Sequence, residues 1–252
     1  MALALSLGRR GQGLVWPNPA VGCVIVRDGR VVGRGWTQPG GRPHAETEAL
    51  AQAGDLARGA TAYVTLEPCA HTGKTPPCAD ALVHAQVARV VIACTDSDPR
   101  VSGAGIAILE SAGISVQTGV IEAEAHADHA GFFNRIDHGR PLVTLKLASS
   151  FDGRIATATG ESQWITAPPA RRLVHAMRAR HDAVMVGGGT ARQDDPSLNV
   201  RDLGIARQPA RIVASKHLDL PLSGKLAQTA ASDRLYLCHA SSADPALVRT
   251  WQ

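Results

Sequence analysis

The feature that most constrains how this chain can fold is a histidine and two cysteines spread over three segments. His44 is followed two residues later by Glu46, Cys69 follows Pro68, and Cys78 comes further downstream. One histidine and two cysteines supply three ligands for a tetrahedral zinc ion and leave the fourth position to water. The chain must therefore bring three separate segments close enough to bind one ion.

Glu46 indicates what such a site would do. Zinc lowers the pKa of its bound water to about 7, and a neighbouring carboxylate can carry a proton from that water to a leaving amine. This residue order is typical of hydrolytic deaminases that act on amino-substituted rings. A structural zinc site with His71 or His84 as fourth ligand is the alternative, although a closed structural site has no use for an acid beside the metal.

The spacing of the two cysteines differs from that of nucleobase deaminases. Eight residues separate Cys69 from Cys78, whereas two residues separate the cysteines in the usual signature. We expect the insert to loop out and return before Cys78, which would begin a helix after two prolines. Its His71 and Lys74 could bind a substrate phosphate; an ordinary solvated lysine is the competing interpretation for Lys74.

Composition limits the class of protein. The chain has 252 residues, 44% hydrophobic and 19% charged, as expected for a soluble protein of two domains. No apolar run approaches the roughly 18 residues of a membrane span, and residues 1–8 predict a short amphipathic helix rather than a signal peptide. The net charge of +4 suits an anionic ligand, whereas 4% aromatic residues without a basic stripe argue against nucleic acid.

The other three cysteines bear on the cellular compartment. Cys23, Cys94 and Cys238 lie in or beside apolar, strand-like runs. We expect buried thiols rather than disulfides, consistent with a reducing cytoplasm.

Strand-like and helix-like segments alternate along the chain, which predicts α/β architecture with a sheet covered by helices. The first half predicts a hairpin turning at Asp28-Gly29, with further strands at 62–66, 89–93 and 114–116. Predicted helices cover 44–53, 79–85, 103–112 and 123–133, and Cys69 is expected at a helix start, where the dipole favours a thiolate. The second half predicts strands at 142–147, 183–186, 211–214 and 235–238, with helices at 168–180 and from 245.

A glycine run, residues 187–189, ends one of the predicted strands. It indicates either close approach of backbone to a ligand or a flexible loop, and the sequence alone does not separate the two.

Short motifs carry a family resemblance along nearly the whole chain: PNPAVG at 17–22, PHAE at 43–46, VTLEPC at 64–69, KTPPC at 74–78, DSDP at 96–99, LKL at 145–147, SFDGR at 150–154, GESQWIT at 160–166 and DDPSL at 194–198. With these motifs the chain resembles the bifunctional riboflavin-biosynthesis deaminase–reductase family. The resemblance implies a cytidine-deaminase-like three-layer α/β/α domain at 1–138. It also implies a dihydrofolate-reductase-like α/β domain at 142–252, incomplete at its C-terminus.

The resemblance further implies a reaction sequence. A diaminopyrimidinone carrying a phosphoribosylamino group is deaminated, and its ribose is then reduced. The implied cofactors are one Zn²⁺ per chain and NADPH, and we expect a cytoplasmic homo-oligomer without nucleic-acid or membrane partners.

The family's functional residues map onto matching positions of this sequence. His44, Cys69 and Cys78 would bind zinc, and Glu46 would carry the proton. The implied substrate contacts of the first domain are Asn18, His71 and Lys74. The implied NADPH contacts are Ala148, Trp164, Thr190, Asp194 and Ser215. The implied substrate contacts of the second domain are Lys146, Ser162, Arg178, Leu198 and Arg201, and the two arginines suit a phosphate.

Simpler interpretations stay open for three of these residues. Trp164 could belong to the core, Leu198 could serve packing alone, and Arg178 could be one more charge on its helix.

The sequence also departs from the family. Family members continue past the position of Gln252, and the aspartate that usually precedes the serine is absent before Ser215. We therefore expect deamination with little reduction from this chain. The competing hypotheses are a stand-alone deaminase of cytidine, a deoxynucleotide or tRNA adenosine, and an inert zinc-stabilised scaffold.

Overall fold

A computed structural model describes residues 1–73 and 76–252. The chain divides into two compact units, Met1–Thr144 and Leu145–Gln252, and each is described by itself. Within the described residues, no helix has the length and apolar character needed to cross a membrane.

The first unit is built on a five-stranded sheet. In chain order its strands are β1 (Gly22–Arg27), β2 (Arg30–Trp36), β3 (Thr61–Val64), β4 (Arg89–Ile92) and β5 (Ser115–Gln117). Their order in the sheet is β2-β1-β3-β4-β5. β1 pairs antiparallel with β2 and β3, whereas β3, β4 and β5 run parallel. The predicted hairpin is confirmed, since Asp28 and Gly29 join β1 to β2.

Helices cover both faces of this sheet. They are α1 (Ala2–Gly8), α2 (Ala45–Ala53), α3 (Cys78–His84), α4 (Ala104–Ser111) and α5 (Glu122–His138). Alternate residues of β1 point to opposite faces: Cys23 and Ile25 pack in one cluster with Ala49 of α2, and Val24 packs in another with Leu7 of α1. The predicted three-layer α/β/α architecture is confirmed.

This topology brings the segments of interest to one edge of the sheet. Because β3 and β4 are parallel, their carboxyl ends lie side by side, and the residues that follow them meet there. Glu67 and Cys69 follow β3, and Asp96 follows β4. His44 caps the start of α2 and Cys78 is the first residue of α3, so two helix N-termini meet the same edge.

The second unit contains a three-stranded parallel sheet. Its strands are β6 (Ala183–Gly187), β7 (Ala210–Ala214) and β8 (Leu235–Cys238), in the order β6-β7-β8. Its helices are α6 (Pro168–Ala179), α7 (Gly188–Asp194), α8 (Lys225–Gln228) and α9 (Pro245–Trp251). A small core cluster includes Ala191, Leu198, Val213 and Leu226. The predicted α/β class of this half is confirmed.

The strand predicted at 142–147 is wrong. These residues adopt no regular secondary structure, and Val143, Leu145 and Leu147 are 80%, 78% and 72% exposed. The alternation of apolar and polar residues fits a pleated strand, but a strand also needs a neighbour to pair and pack with. No strand of the described residues pairs with this segment.

Two predictions about cysteines also need correction. Cys69 lies in a loop rather than at a helix start, because none of the described residues between β3 and Cys78 is helical. Cys238 is exposed rather than buried, since it ends β8 at the edge of its sheet, whereas Cys23 and Cys94 are buried as expected. All these thiols are free.

The glycine run ends one element and begins the next. Gly187 is the last residue of β6, and Gly188 and Gly189 open α7, so the flexible-loop interpretation is wrong. A β-carbon on Gly188 would lie 2.8 Å from Ser215 Oγ. The glycine therefore allows close approach between the start of α7 and the residue that follows β7.

Candidate metal centre and its pocket

The three predicted ligands converge. His44 Nδ1 lies 3.3 Å from Cys78 Sγ and 3.7 Å from Cys69 Sγ, and all three ligand atoms lie within 4.8 Å of one another. Zinc bonds of 2.0–2.3 Å at tetrahedral angles place a nitrogen and a sulfur ligand about 3.6 Å apart. The donor set and its spacing therefore fit one zinc ion.

The local fold prepares a thiolate. The pKa of Cys69 is lowered to about 4, chiefly by its hydrogen bond with the Cys78 thiol and further by the His44 ring, while burial opposes the shift. The same contact raises the pKa of Cys78. The backbone N–H of Cys78 also donates to Cys69 Sγ at 3.3 Å. The Cys69 thiolate is thus stabilised by an amide at the start of α3. We had expected this stabilisation to come from a helix that begins at Cys69 itself.

Glu46 lies beside the ligands, in the first turn of α2. Its side chain is buried, 3% exposed, and burial raises its pKa to about 7, with the negative charge of Cys69 as a second cause. A carboxyl group with a pKa near neutrality can both accept and donate a proton at physiological pH. The geometry therefore places a group that can carry a proton next to three side chains that could bind a metal ion.

The centre opens into a cavity of about 490 Å³. His44, Glu46 and Cys69 lie in its wall together with other residues of the first unit. Its polar and charged lining includes Asn18, Arg42, Glu67, His71, Asp96, Asp98, Arg100 and Arg135, and Phe132 also lines it. The cavity is large enough for a small-molecule ligand, and it contains both acidic and basic groups.

Two of the three predicted substrate contacts in this domain line the cavity. The Asn18 amide donates to Gly41 O at 2.6 Å, which fixes its orientation. His71 Nδ1 is buried, and among the described residues it finds no hydrogen-bond partner, so it can bond to a ligand. The third contact, Lys74, lies outside the described residues.

Sequence reasoning assigned no role to Glu67, Asp98 or Arg100, although all three line the cavity. Glu67 accepts four backbone hydrogen bonds, and Asp98 forms an ion pair with Arg100. The available signal was a glutamate between an apolar strand and Pro68, since a carboxylate there needs partners once it is buried. Arg135 carried no local signal, because it reaches the cavity from α5, which is distant in sequence from the predicted site residues.

In the second unit, the structure brings Arg178, Leu198 and Arg201 together around one turn. Arg178 Nη1 donates to Asn199 O at 3.0 Å, and Arg201 Nη1 donates to Ser197 Oγ at 2.6 Å. Burial lowers the pKa of Arg178, and the charge of Arg201 lowers it further. Leu198 is 2% exposed and belongs to the core cluster. The two guanidinium groups are thus near neighbours, as a shared anion would require.

The predicted cofactor contacts fall into two groups. Thr190 and Asp194 lie on α7 and are exposed, and Ser215 is buried and donates to Asp219 Oδ1 at 3.1 Å. The family usually has an aspartate just before this serine, and the present sequence lacks it. Asp219 supplies a carboxylate next to Ser215 from the other side in sequence. Through Gly188, Ser215 lies against the start of α7, and Thr190 lies in the first turn of that helix, whereas Asp194 is its last residue.

The second group, Ala148 and Trp164, lies in the irregular segment that precedes α6, which also contains the predicted substrate contacts Lys146 and Ser162. Trp164 is 69% exposed, so its assignment to the core is wrong, and the Arg171 guanidinium lies 4.6 Å from its ring centre. Among the described residues, no hydrogen bond, ion pair or ring contact joins these four residues to the predicted contacts on α7.

Known proteins match both halves of the chain. The cytidine and deoxycytidylate deaminase zinc-binding region matches residues 1–94, and the RibD C-terminal domain matches residues 141–247. The structure superimposes on Acinetobacter baumannii RibD with a TM-score of 0.86 and 45% sequence identity, covering 98% of this chain and 70% of that one. The chain belongs to the RibD family.

Other RibD proteins agree. A Thermotoga maritima protein described as a diaminohydroxyphosphoribosylaminopyrimidine deaminase/5-amino-6-(5-phosphoribosylamino)uracil reductase matches with a TM-score of 0.88 and 40% identity, over 98% of this chain and 71% of that one. The riboflavin biosynthesis protein RibD of Aquifex aeolicus is 48% identical over 91% of this chain, and that of Escherichia coli 50% over 88%. The chain spans 64% and 60% of the length of these two RibD proteins.

Proposed function

We propose that the first domain deaminates 2,5-diamino-6-(phosphoribosylamino)pyrimidinone in riboflavin biosynthesis. The observation that carries this proposal is the convergence of His44, Cys69 and Cys78 with a buried Glu46 on one cavity of about 490 Å³. Membership of the RibD family supports the choice of substrate. A structural zinc site would not need the buried carboxylate.

Each residue of the centre has a distinct task in this reaction. We assign His44, Cys69 and Cys78 as ligands of one zinc ion per chain, and bound zinc supplies an acidified water as the nucleophile. The Glu46 carboxylate accepts a proton from the attacking water and delivers it to the ring amino nitrogen. A bond forms between the water oxygen and the amino-bearing ring carbon, the carbon–nitrogen bond breaks, and ammonia leaves. The second proton of the water ends on the adjacent ring nitrogen, beside the new ring carbonyl.

We propose that Asn18 and His71, which line the same cavity, contact the substrate. We further propose that Lys74, which lies outside the described residues, binds its phosphate. The fixed orientation of the Asn18 amide and the unpartnered Nδ1 of His71 support the first two assignments. A net positive chain charge favours an anionic ligand.

For the second domain, residues 142–252, we propose NADPH-dependent reduction of the ribosyl group to ribityl. Arg178 and Arg201 would bind the substrate phosphate through charge-assisted hydrogen bonds. The remaining substrate contacts would be Lys146, Ser162 and Leu198. The NADPH contacts would be Ala148, Trp164, Thr190, Asp194 and Ser215. We place the first domain at residues 1–138 and the protein in the cytoplasm as a homo-oligomer.

The two activities can be tested separately. The zinc-loaded chain should release ammonia from the diaminopyrimidinone, and removal of zinc by a chelator should stop this release until zinc is restored. Oxidation of NADPH with the deaminated product reports the second step. Ammonia release that persists after complete removal of zinc would refute the deaminase proposal, and a lack of NADPH binding would refute the reductase proposal alone.

A further inference from the structure

Glu67 holds the loop that follows β4 and forms one wall of the cavity. This carboxylate is 3% exposed and lies just beyond β3. Its Oε2 accepts from the backbone N–H of Asp96 at 3.3 Å and of Gly103 at 3.1 Å. Its Oε1 accepts from Gly105 at 3.0 Å and Ile106 at 3.3 Å. A single side chain thus binds both ends of the 96–106 loop.

The same loop packs directly on the backbone that leads to a metal ligand. A β-carbon on Gly105 would lie 2.0 Å from Pro68 O, a distance that no side chain could tolerate. The first turn of α4 therefore touches the backbone of Pro68, the residue before Cys69, and the Glu67 side chain. The segment that forms this wall of the cavity therefore packs, backbone against backbone, on the segment that contains Cys69.

The loop presents charged side chains to the cavity. Asp96 Oδ1 accepts the backbone N–H of Asp98 at 2.8 Å, and Asp98 binds the Arg100 guanidinium, with Nε 2.9 Å from Oδ1. The pKa of Asp98 is lowered to about 2, chiefly by Arg100, and His71 is a smaller cause. Asp98, Arg100 and His71 all line the same cavity.

We propose that Glu67 is a positioning residue of the deaminase site, which anchors the 96–106 loop so that Asp98 stays in the wall of the cavity. The proposal rests on the proposed deamination, but Glu67 does not itself have to touch the substrate. The alternative is that Glu67 only adds stability, in which case its loss would leave substrate affinity unchanged.

The test uses Glu67→Gln in the full, zinc-loaded chain. The carboxamide keeps the shape of the side chain, but its NH₂ end faces two of the four backbone donors. Hydrogen bonds to charged groups are worth about 1.5–3 kcal/mol, so we expect amide protection in residues 96–106 to fall at least about tenfold. Protection in α2 and α3 and the zinc content should not change. Glu110→Gln, at an exposed position on α4, is the matched control and should behave as wild type.

Kinetics separate positioning from stability. We expect Glu67→Gln to raise KM for the phosphorylated substrate about tenfold while kcat changes less than about threefold. Asp98→Ala, which leaves the four hydrogen bonds of Glu67 in place, should also raise KM. The double variant should match Asp98→Ala alone, because residues that act through one another are not additive.

Several outcomes would overturn the proposal. They are unchanged protection of the 96–106 loop in Glu67→Gln, additive effects in the double variant, zinc loss that parallels the loss of activity, and an unchanged KM in Asp98→Ala. The last result decides the matter even if Glu67→Gln does not fold. If the wild-type chain releases no ammonia, the proposed function fails, while the exchange measurement still decides whether Glu67 anchors the loop.

Discussion

The two domains hold their candidate chemical groups in different ways. In the first, Glu46 and Cys78 are buried and Cys69 partly so, and burial and mutual contacts shift their pKa values. In the second, Trp164 and Thr190 are exposed, and the predicted contacts fall into two groups without a described link. In the buried site, the contacts between the protein's own side chains set their pKa values and orientation. The exposed residues of the second domain have fewer such contacts, so a bound ligand would have to order them. Substitutions in the first domain should therefore have the larger effects.

The largest effect should follow loss of a metal ligand. Cys69→Ala and Cys78→Ala each leave two protein ligands, so we expect zinc content and ammonia release to fall to background. Cys238→Ala, which removes an exposed free thiol of the other domain, is the control and should keep both. Metal analysis of the purified variants decides the assignment, and undiminished zinc in both ligand variants would refute it.

Glu46→Gln should give the next largest loss. The amide has the same shape but cannot carry a proton, and general acid–base groups contribute about 10²–10⁴ in rate. We expect kcat to fall by this factor while zinc stays bound. Glu48→Gln, in the same helical turn, should retain wild-type rates. Activity of Glu46→Gln within threefold of wild type would exclude Glu46 as the proton carrier.

A buried histidine away from the metal centre should make the first domain sensitive to acid. Burial lowers the pKa of His129 to about 4 from 6.5, so the folded state binds fewer protons than the unfolded chain. The stability this provides is complete above pH 6.5 and is lost as the pH falls towards 4, by about 3 kcal/mol. Between pH 7 and 4, the free energy of unfolding of His129→Gln should therefore fall by about 3 kcal/mol less than that of the wild type. His138→Gln, at the exposed end of α5, is the control and should keep the wild-type pH dependence. Equal pH dependence of wild type and His129→Gln would contradict the mechanism.

The smallest effect is expected at the exposed arginine of the second domain. Arg201→Gln removes one charge-assisted donor, worth about 1.5–3 kcal/mol, so the affinity for the phosphorylated product of deamination should fall at least about tenfold. Arg172→Gln, at an exposed position on α6, should leave the affinity unchanged. Calorimetric titration measures both, and equal affinities would remove Arg201 from the phosphate site.

The contrast between the domains also explains what the sequence could predict. His44, Glu46, Cys69 and Cys78 were predictable because metal chemistry restricts residue type and spacing. Helices and strands with clear periodicity, such as α2 and β7, were predictable for a similar reason. The strand expected at 142–147 was not, because a strand depends on a neighbour that local pattern does not reveal.

The role of Glu67 was likewise hidden from the sequence. Its four hydrogen-bond donors follow it by about 30–40 residues, and only the parallel arrangement of β3 and β4 brings them to it. Arg135 reaches the cavity from the far end of α5 in the same way. Residues whose importance comes from long-range contacts leave no local signal.

The most direct test of the account is a comparison of substrates for the first domain. Ammonia release by the zinc-loaded chain would be measured with the phosphoribosylaminopyrimidinone, its dephosphorylated form, cytidine and deoxycytidylate. We predict that kcat/KM is highest for the phosphorylated pyrimidinone and falls at least about tenfold without the phosphate, since charge-assisted contacts are lost. Equal or higher kcat/KM for cytidine or deoxycytidylate would contradict the account and identify a general pyrimidine deaminase.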